Sequence, residues 1–152
     1  MRRRCLRKRL AVDDGQNLVE FALSGFLLIM LLLGIVEIGR LVLVYTTVAN
    51  AARAGARYAV VHGSDSLASA ADVQNVVKNF LGAAPMNTAA AGLAINVTCS
   101  VDGTTFGTCS TTNAKPGSFV SVSVSYPYDP FVQYFPWGTI NLGSTTREVI
   151  TF

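Results

Sequence analysis

A carboxylate inside an apolar segment is the first feature of this chain that could do chemistry. Glu20 lies at the start of a run that is otherwise apolar, and Gly15 precedes it by five positions. A charged side chain costs about 2.5–3.5 kcal/mol at the bilayer centre and less near the edge, so an acid in such a segment usually has a function. The spacing leaves a second interpretation equally open, in which Glu20 reaches the membrane interface and does nothing more.

The other reactive residue types predict no catalytic or cofactor site. His62 is the single histidine of the sequence, which excludes a site built from several histidines. Cys99 and Cys109 alone do not make a zinc site. His62, Ser64 and Asp65 are the residue types of a triad, but a triad is defined by geometry and not by proximity in sequence. No phosphate-binding G-x-x-x-x-G-K-[ST] sequence occurs. We expect no enzyme activity, cofactor, metal or small-molecule substrate.

Composition and charge place the chain between soluble domains and multi-span membrane proteins. Of its 152 residues, 51% are hydrophobic and 14% are charged. The net charge of +3 comes from the N-terminal leader, which holds six of the twelve basic residues: Arg2, Arg3, Arg4, Arg7, Lys8 and Arg9. From Gln16 onward, the sequence has six basic and seven acidic residues. Because no basic cluster lies in the folded part, no nucleic-acid partner is predicted.

Leu18 to Ile38 predicts a single transmembrane helix. A helix needs about 20 predominantly apolar residues to cross the bilayer core, and this segment supplies them. A cleaved secretory signal also begins with basic residues, but its apolar core is about 7–15 residues long, shorter than this one. The basic leader should stay in the cytoplasm, so the C-terminal part should be exported.

Cys99 and Cys109 are predicted to form a disulfide bond. Both lie in the exported part, around the turn-rich sequence VDGTTFGT, whereas Cys5 lies in the leader. Two exported cysteines that flank a hairpin are typical of one disulfide. The bond needs a geometry that sequence does not supply, so a pair of unlinked small core residues is the alternative.

The segment GQNLVEF, from Gly15 to Phe21, resembles the class III signal of type IV pilins and pilin-like proteins. The resemblance implies that a prepilin peptidase cuts between Gly15 and Gln16 and leaves the apolar helix in the mature protein. The cut would create an α-amino group four residues before Glu20, within reach on one helix face. The resemblance assigns Glu20 and Phe21 to assembly, where Glu20 could instead meet the amine of a neighbouring subunit.

The sequence EIGRLVLVYTTVANAARAGARYAVVHG, at the expected exit from the membrane, resembles the signature of TadE-like proteins, the pilin-like minor components of tight-adherence (Tad) pili. The matching positions are Glu37, Gly39, Arg40, Ala51, Ala52, Arg53, Gly55, Ala56, Arg57 and Ala59. Glu37 and Arg40 are spaced to pair on one helix face. Arg53 and Arg57 share a face that could meet acidic groups of neighbouring subunits, lipid headgroups or solvent alone. One departure is Ser24-Gly25-Phe26, where many relatives carry a proline.

The hydrophobic pattern predicts a pilin-like α+β fold. We expect a cleaved basic leader (residues 1–15), a transmembrane and continuing helix (16–62) and an extracytoplasmic domain (63–152). That domain should contain a second short helix over 67–81, with Ser66 or Asp65 as its cap and Gly82 as its stop. It should also contain a small antiparallel sheet, with strands in LAINVTCS, FVSVSVSY and TINLGSTTREVITF. The sequence YPYDPFVQYFP is expected to be a connection, because its prolines interrupt a strand.

The spacing of small residues predicts a close contact beyond the membrane. Ala51, Gly55 and Ala59 recur every four residues, so they form a stripe on which another element can approach α-helical backbone.

Two functions fit these expectations. In the first, the chain is a minor pilin or pseudopilin of a bacterial Tad-type pilus, inserted in the inner membrane and processed by a prepilin peptidase, and it takes part in pilus assembly and adhesion. Its partners would be the peptidase, other pilin-like subunits, the Tad assembly machinery and membrane lipid. In the second, it is an uncleaved single-pass anchor for an exported binding or secretion-accessory domain. The spacing of Gly15 and Glu20 favours the first.

Overall fold

The computed structural model describes residues 3–62, 70–84, 86–130 and 138–151, with side chains from Gly15 onward. Over those residues the elements are α1 (Arg3–Val61), α2 (Ala70–Ala83), β1 (Ala94–Ser100), β2 (Gly107–Thr108), β3 (Phe119–Tyr128) and β4 (Ile140–Val149). The strands form an antiparallel sheet in the order β2-β1-β3-β4. A long apolar helix, a short helix and an antiparallel sheet confirm the predicted α+β fold.

α1 begins earlier than the sequence analysis expected. The prediction was a helix from Gln16, but α1 begins at Arg3 and passes through Gly15 without a break. Residues 3–14 contain neither proline nor glycine and are rich in arginine and leucine, which favour helix. The chain divides into two units, residues 1–39 and 40–152, so the boundary between them falls inside α1.

In the second unit, one face of α1 packs into a core with α2 and the sheet. Leu81 of α2 and Val122 of β3 are fully buried there. The other fully or nearly fully buried apolar residues of this core include Val48, Ala51, Ala52, Ala56, Val73, Val77, Val120 and Val124. Burying one valine or leucine side chain stabilises a fold by about 1.5–3 kcal/mol, so this core holds the helix on the sheet.

β3 is one of the two inner strands of the sheet and alternates as its sequence predicts. Val120, Val122 and Val124 face the core, and their partners on β1 are Cys99, Val97 and Ile95. The intervening serines pair with polar residues on the opposite face, where the Thr145 hydroxyl donates to Ser123 Oγ at 3.1 Å. The alternation of valine and serine therefore sets which face of the sheet covers α1 and α2.

The end of β3 corrects one expectation. The predicted strand FVSVSVSY ended at Tyr126, and the residues after it were predicted to be a connection, but Pro127 and Tyr128 continue the strand and pair with β4. β1 pairs with β3 only as far as Ser125, so within the described residues Pro127 has no strand on its second side. A residue without an N–H group is tolerated on such an edge.

α2 differs from its predicted bounds at both ends. The prediction was 67–81 with Gly82 as the stop, whereas the helix covers Ala70–Ala83 and includes Gly82 in its last turn. The expected capping residues, Asp65 and Ser66, lie outside the described residues. Val73, Val77 and Leu81 recur every four residues and form its buried face.

Candidate functional site

The segment that resembles a pilin signal lies exposed on α1. Gly15, Gln16, Glu20 and Phe21 are all exposed, and the Phe21 side chain is 79% exposed. A Cβ atom added at Gly15 would meet no atom within 4 Å. Among the described residues, Glu20 has no hydrogen-bond or ion-pair partner. The carboxylate is therefore available to a group from outside the chain.

The apolar part of α1 that follows this segment is also exposed. Between Leu18 and Ile38 the large apolar side chains are 45–79% exposed. Within the described residues, Gly15–Val61 is a helix long and apolar enough to cross a membrane. Unmatched exposure of so much apolar surface is typical of a membrane anchor, because lipid removes that surface from water.

The small residues of the second motif are explained by packing inside the chain. Ala52 and Ala56 are fully buried. A Cβ atom added at Gly55 would lie 2.6 Å from Val77 Cγ2 of α2 and 3.4 Å from Val122 Cγ1 of β3. The absence of a side chain at Gly55 lets α2 approach α1 closely, as the stripe of small residues predicted.

Arg40 contacts an aromatic ring of the folded unit. Its guanidinium carbon lies 5.1 Å from the ring centre of Tyr128, whose side chain is 2% exposed. A cation over an aromatic face at this distance contributes about 0.5–1 kcal/mol at an exposed site. Glu37 is half-buried, and a Cβ atom at Gly39 would meet no atom within 4 Å. The pairing of Glu37 with Arg40 stays a prediction.

Arg53 and Arg57 lie outside the core, one turn apart on α1, and both are exposed. Arg53 donates a hydrogen bond from Nη1 to the Asn50 side-chain oxygen at 3.0 Å. In the part of the chain that the structure describes, neither arginine has a carboxylate within ion-pair distance. The second motif thus divides into small residues that build the core and two arginines that face away from it.

Cys99 and Cys109 form the predicted disulfide bond, with their Cα atoms 4.8 Å apart. The bond closes the β1–β2 hairpin, in which Thr98 pairs with Thr108. Cys99 is 3% exposed and lies in the core, so the bond ties the hairpin to the buried side of the sheet.

Asp102 organises the hairpin loop, a role that the sequence analysis missed. Its carboxylate accepts hydrogen bonds from the Thr104 hydroxyl, from Ser100 Oγ at 2.7 Å and from the backbone N–H groups of Thr104 and Thr105. The Thr104 hydroxyl and then the other donors hold the pKa of Asp102 well below its usual range. An aspartate before glycine in a turn is the signal that could have found it.

Two further groups of residues are only partly described. His62 stacks on Tyr58 with ring centres 4.0 Å apart, and Ser64 and Asp65 lie outside the described residues. In the aromatic-rich sequence YPYDPFVQYFP, Tyr128 is buried and Tyr126 accepts a hydrogen bond from the Asn87 backbone N–H at 3.2 Å. In the described residues no group of three or more His, Cys, Asp or Glu could hold a metal ion.

The comparisons with known proteins agree with the motifs. A family model described as TadE-like protein matches residues 15–57, from Gly15 to the second of the two exposed arginines, Arg57. No curated protein and no solved structure matches the chain. The matched segment begins at the exposed glycine and ends within the helix that packs on the sheet. The suspected family is therefore confirmed on this segment: the chain carries a TadE-like N-terminal region.

Proposed function

We propose that the chain is a minor pilin or pseudopilin of a Tad-type pilus. The apolar part of α1 would insert it in the bacterial inner membrane with its N-terminus in the cytoplasm, and the folded unit would lie in the periplasm or outside the cell. A prepilin peptidase would remove the leader between Gly15 and Gln16. The mature protein would then take part in pilus assembly and adhesion with other pilin-like subunits and the Tad machinery. Its role would be structural and not enzymatic.

The observation that carries this proposal is where the family match begins. It starts at Gly15 and leaves out the basic leader, and the first residues that it covers are the exposed segment with Glu20. A peptidase must reach the backbone on both sides of the bond that it cuts, and nothing in the described residues covers Gly15. The helix must unwind locally for cutting, which glycine makes easier by about 1 kcal/mol relative to alanine.

The N-terminus of the protein extracted from membranes tests the proposal. In cells with an active prepilin peptidase, mass spectrometry should find a chain that begins at Gln16, and deletion of the peptidase should restore the leader. Gly15→Leu should block cutting, because a side chain obstructs close approach at the scissile bond. Gly25→Leu is the matched control, since a Cβ atom there also meets nothing within 4 Å.

The alternative function predicts the opposite result. A single-pass anchor of an exported binding or secretion-accessory domain would keep its leader, as the unbroken helix from Arg3 through Gly15 allows. An intact N-terminus in the presence of the peptidase, together with unchanged pilus yield when the chain is deleted, would establish that alternative.

A further inference from the structure

One side of the second half of α1 is left uncovered by the folded unit. Val44, Val48 and Ala52 are buried on the covered side. The uncovered side, which we call the arginine face, carries exposed residues at helical spacing: Val42, Thr46, Asn50, Arg53, Arg57 and Val61. Val42 is 51% and Val61 60% exposed, so apolar side chains flank the two arginines. Arginine is one of the residue types enriched in protein interfaces.

The position of the folded unit shows where the hydrocarbon of the membrane must end. Leu41 packs against the core, and Arg40 contacts the buried Tyr128 ring. A sheet with free edges and polar loops does not occur in lipid, so the hydrocarbon ends at about Arg40. Arg53 follows 13 residues later, which is about 20 Å along the helix axis at 1.5 Å per residue.

That distance excludes lipid headgroups as the partner of the arginine face. The headgroup layer on each side of a bilayer is about 5–8 Å thick. A helix tilted by about 40°, the upper end of the observed range, still places Arg53 about 15 Å above the hydrocarbon. Arg57 lies one turn farther. Of the three surroundings that the sequence left open for these arginines, acidic protein groups and solvent therefore remain.

The charge arrangement specifies the chemistry of a protein partner. The two guanidinium groups lie one turn apart, and neither has a carboxylate partner among the described residues. Asn50 holds Arg53 in place through a 3.0 Å hydrogen bond, which lowers the entropy lost on binding. Arginine binds carboxylates through two parallel hydrogen bonds, so a matching surface would present two acids at the same spacing.

We propose that the arginine face docks an acidic helix of another pilin-like subunit, one that carries two carboxylates about one helical turn apart. The inference rests on the proposed function, since it takes its partner from the same pilus. The apolar ends of the arginine face, Val42 and Val61, pack on the partner helix, and the arginines set its register. Arg53 lies about 20 Å outside the hydrocarbon and Arg57 farther still, so the two arginines fix subunits to one another and not to lipid.

A photo-crosslinking side chain in place of Thr46 tests the docking in cells that carry the complete pilus system. It should crosslink to a tagged pilin-like subunit, and mapping should place the crosslinked peptide beside two acids three or four residues apart. Arg53→Glu with Arg57→Glu should lower the crosslink yield at least about tenfold, because like charges would then face each other. Changing the mapped acids of the partner to lysine should restore the crosslink yield of the chain that carries Arg53→Glu and Arg57→Glu.

Matched variants separate this contact from a general charge effect. Lys78 and Lys115 are exposed, so Lys78→Glu with Lys115→Glu makes the same change of charge away from the arginine face and should leave the yield unchanged. Arg53→Lys with Arg57→Lys keeps the charge but loses paired hydrogen bonding, and should retain part of the yield. Formation of the Cys99–Cys109 bond in each variant reports that the folded unit is intact.

Three results would overturn the inference. They are crosslinks to lipid alone, a crosslinked protein without acids at that spacing, and a yield that the charge reversal does not change. The proposed function fails separately, when deletion of the whole chain leaves pilus yield unchanged. If deletion of the chain lowers pilus yield but the charge reversal leaves the crosslink yield unchanged, only the docking is refuted.

Discussion

The two halves of α1 belong to one TadE-like segment but have different surroundings. In residues 18–38 the apolar side chains are exposed, as Leu28 at 59% illustrates. Beyond Arg40 one face of the same helix is buried beneath α2 and the sheet, and Ala52 and Ala56 are fully covered. The family pattern therefore combines positions that the chain's own core explains with positions that it does not.

This difference indicates which residues act inside the chain and which act outside it. Gly55 is required by the approach of Val77. A Cβ atom added at Gly15 or Gly39 would meet no atom within 4 Å, and Glu20 has no partner in the described residues. Substitutions on the buried face of the second half should thus change the free energy of unfolding, and substitutions in the first half should change only processing, insertion or assembly.

The largest contrast should come from truncating a leucine in each half. Leu81 is fully buried in the core of the folded unit, so Leu81→Ala should lower the free energy of unfolding by about 2–5 kcal/mol. Leu28→Ala should leave the unfolding of residues 40–152 unchanged, because that side chain is outside the core. Thermal unfolding of the detergent-purified chains, followed by circular dichroism, measures both. Equal losses would contradict the division of α1.

Loss of the disulfide should have the next largest effect. The bond closes a loop with nine residues between Cys99 and Cys109, and on loop-entropy grounds it stabilises the folded unit by about 2–3 kcal/mol. The variant with both cysteines changed to serine should unfold at lower denaturant concentration than the oxidised protein. Cys5→Ser is the control and should have no effect, since Cys5 is not a member of the pair.

Alanine at two glycines of the family motif gives the sharpest comparison. At Gly55 the added Cβ atom would lie 2.6 Å from a stiff β-branched side chain, so overpacking outweighs the gain in helix propensity. Gly55→Ala should destabilise the folded unit by about 1–2 kcal/mol. At Gly39 the added Cβ atom would meet no atom within 4 Å, so Gly39→Ala should be neutral or slightly stabilising.

The double variant Gly55→Ala with Val77→Ala tests the cause. It makes room at Val77 and should lose less stability than the sum of the two single changes. Additive losses would show that the contact between Gly55 and Val77 is not the reason for the glycine.

The sequence predicted those features that depend on local pattern. The alternation of valine and serine from Val120 to Ser125 predicted β3, and the spacing of Ala51, Gly55 and Ala59 predicted close packing. Two cysteines around a turn predicted the disulfide, which formed. Each of these follows from residues close in sequence, where periodicity and turn chemistry are decisive.

What the sequence did not predict depends on contacts between distant residues. Pro127 lies in a strand because β1 ends before it, which local propensity does not reveal. The contact of Arg40 with Tyr128 joins residues far apart in the chain. The start of α1 at Arg3 was missed for another reason, since the resemblance to a pilin signal suggested a boundary at Gly15, where the helix continues.

Asp102 should have a smaller effect, one that depends on pH. Hydrogen bonds to the carboxylate lower its pKa in the folded protein, so its contribution is present above the unfolded pKa of about 4 and is lost as pH falls further. Asp102→Asn should therefore be less stable than the unchanged chain at pH 7, and the difference between the two unfolding temperatures should shrink as pH falls below about 4. A difference that stays constant with pH would show that the charge is not what stabilises the loop.

Glu20→Gln should have no effect on stability and a large effect on assembly. The carboxylate is exposed and without a partner in the described residues, so unfolding of the folded unit should not change. Removing a charge from an apolar segment makes insertion easier, so the variant should still reach the membrane and be cut after Gly15. If Glu20 pairs with a new N-terminal amine during assembly, surface pilus yield should nevertheless fall, because glutamine cannot provide the negative charge. Glu20→Asp keeps that charge and should retain more pili than Glu20→Gln.

Surface pilus yield and the cleaved fraction are measured in the same cells, so that a defect in processing is not mistaken for one in assembly. Normal yield with normal cleavage would favour the other interpretation of this residue, a carboxylate that only reaches the membrane interface. The TadE-like assignment would stand in that case, since it depends on residues 15–57 together.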